Sequence, residues 1–458
     1  MSFRSVCYSL VLLITINTFR SEAEGIVVYP AIPGLATSGD FEVLAGDQPV
    51  WVEKAGSKQA AFDYDLYGSR ELEDLNVARF ACSGSVRLKI MAGAEIKKYV
   101  IRPKSRGIKA EVSGREMILT IPGPVKLYIE INDLPHLAVL ADPPEVKPHV
   151  KGDPGVIWYG PGVHNPGRIY LVSNMTMYLA PGALVNADIF GRNLENVTIE
   201  GRGTIQGKME INNCRNFNVE GIFIRNTKGW TNTLTNCSNS SFRNVKVFSY
   251  EAIYSVDGIN PVSCRNVTID DCFMRCRDDC VAIKSPDPKL KTDSIFVSNC
   301  VMVGWACSDG VTIGFELNGG PVRNIRVSNC DILYARGDGR TKGHSAFSIV
   351  CDGPAIVSDI LFQDIRVEEN VEFKNLELIV TDGTLYGTDP PGHIKGVVFR
   401  NIEWENATRP FILNGYSPDN MVEDIVFENC RAGGKPLTRQ EDADVRTNRF
   451  VSGVVFRP

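Results

Sequence analysis

The chain has 458 residues, 43% hydrophobic and 22% charged. These are proportions of an ordinary globular protein, and they exclude a disordered or collagen-like chain. Lys and Arg number 49 against 54 Asp and Glu, a net charge of −5, so nothing in the charge points to a nucleic-acid partner.

The chain opens on the pattern of an export signal. Arg4 supplies the positive end, residues 6–16 are mainly apolar, and Ser21-Glu22-Ala23 places small residues around a cleavage point. The apolar run is too short to span a bilayer, and no later run reaches the ~18 residues that a span needs. Residues 1–23 are therefore read as a signal peptide and the protein as secreted, with no membrane partner. Sequons beginning at Asn174, Asn196, Asn236, Asn239, Asn266 and Asn406 fit that reading.

From 25 to 150 the chain is a series of short apolar runs and turns. Val125-Lys126-Leu127-Tyr128-Ile129-Glu130-Ile131 alternates as a half-buried strand should. No segment has a helical period, so an N-terminal β-sandwich domain is expected, closed by a Pro-rich linker at Pro143, Pro144, Pro148 and Pro154.

From 151 to 458 one phrase recurs. Asn196-Val197-Thr198-Ile199 is followed by related phrases starting at Asn216, Asn244, Asn266, Ser294, Asn324, Asp359, Gly396 and Asp424. Successive starts are 20, 28, 22, 28, 30, 35, 37 and 28 residues apart. A short strand recurring at such variable intervals, with no helix between repeats, is the signature of a solenoid with loop insertions. The expected fold is all-β, a single-stranded parallel β-helix behind a small β-sandwich. Val, Ile, Phe and Cys should form inward ladders, and Asn at the bends should hydrogen-bond from coil to coil. Twelve of the 13 cysteines remain once Cys7 leaves with the signal. The spacing of Cys272, Cys276 and Cys280 invites a metal reading. The chain has no CxxC pair and only five His, so no metal is expected. Cys300, Cys330 and Cys430 end matching phrases, which suggests stacked core residues with some disulfides.

Adjacent coils lie ~4.8 Å apart, so acids one coil apart become neighbours. Asp257 precedes Asp278 by 21 residues, close to the shortest repeat interval, and should stack beside the Asp278-Asp279 pair. Three clustered carboxylates repel one another, and at least one should hold its proton near neutral pH. Glycoside hydrolysis needs that combination, a protonated acid for the leaving oxygen and an ionised base for the water. Adjacent strand residues face opposite ways, so both Asp278 and Asp279 reach the groove only if the chain bends there. The competing reading makes these acids turn caps or a calcium site.

At this point the residues resemble a known group. Asp278-Asp279-Cys280-Val281-Ala282-Ile283-Lys284-Ser285 closely resembles the central motif of polygalacturonase-like enzymes, glycoside hydrolase family 28. Ser255-Val256-Asp257-Gly258 resembles that family's Asn-Thr-Asp-Gly segment. The resemblance runs from about residue 156 to the C-terminus. It implies a right-handed β-helix and inverting hydrolysis of a pectin-like polysaccharide, with Asp278 as general acid and Asp257 and Asp279 handling the water. Two departures stand out. Asp309, in Ser308-Asp309-Gly310, replaces the histidine of a Gly-His-Gly motif. Ser348-Ile349-Val350 stands where an Arg-Ile-Lys motif would hold a uronate carboxylate. Each lost charge-assisted partner is normally worth ~1.5–3 kcal/mol. Arg336, Arg340, Lys342 or His344 are candidate replacements. The sandwich in front of the coil stack also resembles the dextranase and isopullulanase group, glycoside hydrolase family 49, whose members act on neutral glucans.

Asp309, Lys284 and Glu316 are the candidate substrate-binding residues, against plain roles as turn cap, brace and solvated acid. Trp230 and Trp305 are candidates for stacking on sugar rings, against core packing. Loops at 331–352 and 381–394 are candidates for closing the groove. A polysaccharide or oligosaccharide is the expected partner, the chain is expected to be a monomer, and no cofactor is required. A polysaccharide lyase and a non-catalytic carbohydrate-binding β-helix are the competing functions.

Overall fold

The computed structural model describes residues 25–56, 75–225, 227, 229–249, 255–305, 308–336, 345–371, 373–384, 386–388, 390–406 and 408–458. The expected signal peptide lies outside them. No helix among the described residues is long and apolar enough to cross a membrane.

The N-terminal runs form two sheets. One has the order Ile26–Val28, Leu75–Cys82, Leu137–Asp142, Val125–Ile131, Tyr99–Arg102, with Val52–Ala55 also paired to Leu75–Cys82. The other runs Gln48–Val50, Phe41–Ala45, Val86–Ala92, Glu116–Ile121, Ala110–Ser113. Phe80, Leu127, Ile129 and Val139 of the first share a core with Val43, Leu88, Ile90 and Leu119 of the second. This is the expected sandwich, with one difference. Val125–Ile131 is buried on both faces, because Tyr128 joins Phe223, Phe248, Phe273, Trp305 and Tyr334 in an apolar layer against the coil stack. The alternation marked the sandwich core correctly but could not show that the polar face is also covered.

Polar groups lock the same junction. Lys126 Nζ donates to Asp271 at 2.6 Å, and Arg79 Nη2 to Thr204 Oγ1 at 2.9 Å. Asp142 accepts from Tyr29 Oη at 3.1 Å and Asn244 Nδ2 at 3.0 Å, and it pairs with the buried Lys246.

The remaining strands form one 31-stranded sheet in chain order, paired in parallel from coil to coil except for a short antiparallel hairpin of Arg431–Ala432 and Lys435–Pro436. This is a right-handed parallel β-helix preceded by a small β-sandwich. Its core is a set of ladders. Val267, Ile295, Ile325, Ile360, Val397 and Ile425 lie in register through six successive coils. The bends explain the repeated Asn. Asn196, Asn216, Asn239, Asn266, Asn324 and Asp359 all have φ between 52° and 56°, a left-handed conformation that Asn and Asp tolerate better than other residues with a side chain. Their amides also chain from coil to coil: Asn216 donates to Asn196 at 2.8 Å, and Asn266 to Asn239 at 2.7 Å. The sequons at Asn196, Asn236 and Asn266 thus follow from the coil pattern, since their amide nitrogens are committed to these ladders.

One repeat was misplaced. Asn244-Val245-Lys246-Val247 belongs to a different stack of strands around the coil, where Lys246–Phe248 pairs with Phe223–Arg225. The equivalent phrase in that coil is Asn239-Ser240-Ser241-Phe242, with Ser240 opposite Val267. Serine in place of Val or Ile hid it. The cysteines stack as expected, Cys272 N–H lying 3.4 Å from Cys300 Sγ. All eleven described cysteines are buried thiols without a disulfide.

The junction yields a test. Asp142→Ala would leave Lys246 buried without its carboxylate, which costs about 3–5 kcal/mol when one partner of a buried pair is removed. The urea unfolding midpoint should fall accordingly.

Candidate active site

The strands Ile259–Val262, Val281–Ile283, Val311–Ile313 and Ser345–Cys351 lie side by side, with Ile259 opposite Val281, Val281 opposite Val311 and Val311 opposite Phe347. Counting back two positions puts Asp257, Asp279, Asp309 and Ser345 in one column. Trp230 heads it from the preceding coil, two positions before Asn232, which faces Ile259. Backbone bonds hold the column: Thr231 N–H to Asp257 O at 3.1 Å, Gly258 N–H to Asp279 O at 2.8 Å, and Cys280 N–H to Asp309 O at 3.0 Å. Asp257 therefore stacks on the Asp278-Asp279 pair, in register with Asp279.

The pair sits in a bend between Phe273–Cys276 and Val281–Ile283, which frees both side chains from strand alternation. Asp278 is the most exposed of the three acids, half-buried where Asp257 and Asp279 are buried. Its oxygens accept from Ser255 N–H at 2.7 Å and Asp279 N–H at 3.0 Å. Asp279 accepts from Asp309 N–H at 3.0 Å, and Asp257 accepts from Asn260 Nδ2.

Burial pushes the Asp257 carboxyl up to about 8, reinforced by the charge of Asp278. Burial also pushes Asp279 well above the usual carboxylate range, with Asp309 and Asp278 adding to it. The expected crowding is thus present, and the proton is held by the buried acids. Asp278, at the mouth of the cluster, is held by its two backbone donors.

Lys284 and Glu316 form a pair at the edge of this cluster, Nζ to Oε2 2.7 Å. Burial works against the Lys284 charge, but Glu316 and Asp257 outweigh it and hold the ammonium above the ordinary lysine range. Lys284 Nζ also lies 5.0 Å from the centre of the Trp230 ring, within the range of a cation–π contact. Asp352, which the sequence reading did not single out, fixes the bend that carries Glu316. Its carboxylate accepts from Glu316 N–H at 3.2 Å, Leu317 N–H at 3.0 Å and Thr384 Oγ1 at 2.6 Å. Asn260 was likewise missed, although it lies three residues after Asp257 in the same motif.

Other candidates fall elsewhere. Asp309 is fully buried and caps the next coil, accepting from Ser345 N–H at 2.6 Å and Thr312 Oγ1 at 3.0 Å. That geometry is the turn cap, not a sugar contact. Trp305 packs in the layer beneath the sandwich, with the Arg275 and Arg336 guanidinium carbons 4.4 and 4.0 Å from its ring centre. Arg340, Lys342 and His344 lie outside the described residues. Much of 331–352 is strand, Asp331–Ala335 and Ser345–Cys351, because the core pattern continues through it. At the place of the Arg-Ile-Lys motif, Ser348 and Val350 are buried and uncharged. Opposite Ser348 in the next coil stands Glu377, paired with Lys374 at 2.7 Å.

Residues 196–409 match the model of glycosyl hydrolases family 28. A polygalacturonase of Gossypium barbadense is 24% identical over 351 residues, covering 74% of this chain and 77% of that one. A probable polygalacturonase of Vitis vinifera is 24% identical over 168 residues, 31% of this chain and 34% of that one. The chain spans about a third to a half of the length of the first curated relatives it matches. Among solved structures, Dex49A from Penicillium minioluteum superposes with a TM-score of 0.70 at 14% identity, covering 94% of this chain and 96% of that one. The resemblance to polygalacturonase-like enzymes is therefore borne out, and the likeness in fold to Dex49A extends over nearly the whole chain.

The raised Asp257 has a thermodynamic signature. A carboxyl that binds its proton more tightly in the fold stabilises it fully below the ordinary Asp range near 4, and that stabilisation is lost as pH rises toward 8. Asp257→Asn removes this penalty. Its melting temperature should exceed the wild type's by several degrees at pH 8 and by little at pH 4.

Proposed function

We propose that this protein is a secreted glycoside hydrolase that cleaves a polysaccharide with inversion, using Asp278, Asp257 and Asp279. The observation that carries this is the stacked carboxylate cluster at a bend of a grooved β-helix, with Asp278 half-exposed and two protonatable acids behind it. Hydrolysis needs a proton on the leaving oxygen and a base for water. In the resting state the protons sit on Asp257 and Asp279. Passing one of them to Asp278 as the glycosidic oxygen approaches creates both groups at once: an acid at Asp278 and an ionised base behind it. Asp278 then protonates the departing oxygen, and the ionised carboxylate takes the proton of the water that attacks the anomeric carbon from the opposite side. Lys284 braces the cluster electrostatically, and Glu316 holds Lys284. Asp309 supports the bend that carries Asp279.

The relatives' names point to a pectin-like polymer. A neutral glucan is the second reading, favoured by Ser348 and Val350 where cations would grip a uronate. Export as an extracellular enzyme is supported by the pattern of residues 1–23.

Asp278→Asn should lower reducing-sugar release from polygalacturonate, dextran or pullulan by ~10²–10⁴-fold, the usual worth of an acid–base group, while the melting temperature stays close to the wild type's. Undiminished release would remove Asp278 from the reaction. Turnover should also fall as pH rises through about 8, where Asp257 loses its proton. A rate that keeps climbing above pH 8 would contradict the shared-proton mechanism.

A further inference from the structure

One coil before Asp257 the groove opens into a hollow of about 230 Å³ lined by Lys208, Glu210, Asn212, Trp230, Thr233 and Thr235. Pockets for whole small ligands run to ~300–1,000 Å³, so this is room for one ring of a longer chain. Its place is fixed by register. Glu210 faces Thr233 and Asn212 faces Thr235. Thr233 in turn faces Asn260, and Thr235 faces Val262, which bridges to Lys284. The hollow and the carboxylate cluster are thus neighbouring parts of one outward face.

We propose that this hollow is a subsite for an uncharged pyranose unit next to the bond that is cleaved, with Trp230 as its platform. The indole is part-exposed and heads the column that continues through Asp257 and Asp279, so a ring lying on it adjoins the reacting unit. Aromatic faces take the apolar face of a sugar ring, and a few convergent polar groups then fix its orientation. Asn212, Thr233 and Thr235 supply neutral donors and acceptors suited to hydroxyl groups. Among the described residues the wall carries one cation, Lys208, and it is paired with Glu210. The nearby Lys284 is paired with Glu316. Arg192, opposite Asn212 in the preceding coil, lies outside the wall. A uronate carboxylate would therefore meet compensated cations and the negative charge of Asp278.

This subsite rests on the hydrolase reading, and the two can fail separately. The probe is mobility of the Asp278→Asn protein in native gels containing dextran, pullulan or polygalacturonate. A neutral polymer should retard it and polygalacturonate should not. Adding Trp230→Ala should weaken the retardation at least tenfold, while Trp230→Phe should keep most of it. If Trp230→Ala does not fold, Thr233→Val with Thr235→Val carries the test and should weaken retardation similarly. Retardation that ignores both changes, that needs polygalacturonate, or that is absent from every gel overturns the subsite. Reducing-sugar release by the wild type is scored in parallel. Release with unchanged affinity in the Trp230 variants sinks the subsite and keeps the hydrolase. Trp230-dependent retardation without release does the reverse.

Discussion

The structure depends on parallel register between coils. Strands of the solenoid hydrogen-bond to their counterparts one turn on, and a slip of one residue would turn every inward side chain outward. The bends prevent that slip. A residue with positive φ opens coil after coil, and the amide ladders join Asn174 to Asn196 and Asn196 to Asn216. Aromatic stacking adds to the restraint toward the C-terminus, where the Phe362, Phe399, Phe427 and Phe456 rings lie 5.1–5.2 Å apart in succession.

The same register builds the site. Acids separated by 22 and 30 residues become neighbours because each stands two positions before an aligned strand. Their roles then divide by depth. Asp309, the deepest, is used as a cap. Asp279 is both a cap and a member of the cluster. Asp278, the shallowest, reaches the groove. Clustering three carboxylates would destabilise the fold if all were charged, and burial resolves this by retaining protons on Asp257 and Asp279. The proton inventory that the proposed mechanism draws on is therefore a consequence of packing.

Much of this was legible in the sequence, for reasons that residues make plain. The Asn-Val-x-Ile phrase carries both the bend and the inward ladder, so the fold could be read wherever Val or Ile filled the core. It failed at Ser240, where a small polar residue holds the ladder position. The Asp257 to Asp278 spacing revealed the cluster because it matches a coil length. Side-chain destination was not legible. Asp309 and Trp305 are the same residue types that contact sugar elsewhere, yet one is turned toward the next coil and the other lies beneath the sandwich. Only the three-dimensional register distinguishes Trp305 from Trp230, which lies on the groove face. The second face of Val125–Ile131 was hidden for a related reason, since Lys126 and Glu130 look solvent-facing until their partners Asp271 and Arg102 are in place.

The central claim is that water attacks directly, with the Asp278 proton on one side and a buried carboxylate base on the other. Proton NMR of the first product released from the polymer that the wild type depolymerises tests it most directly. Inversion predicts that the anomer opposite to the cleaved linkage accumulates first and then mutarotates. First appearance of the retained anomer would mean that a carboxylate attacks the sugar itself, and would contradict the account.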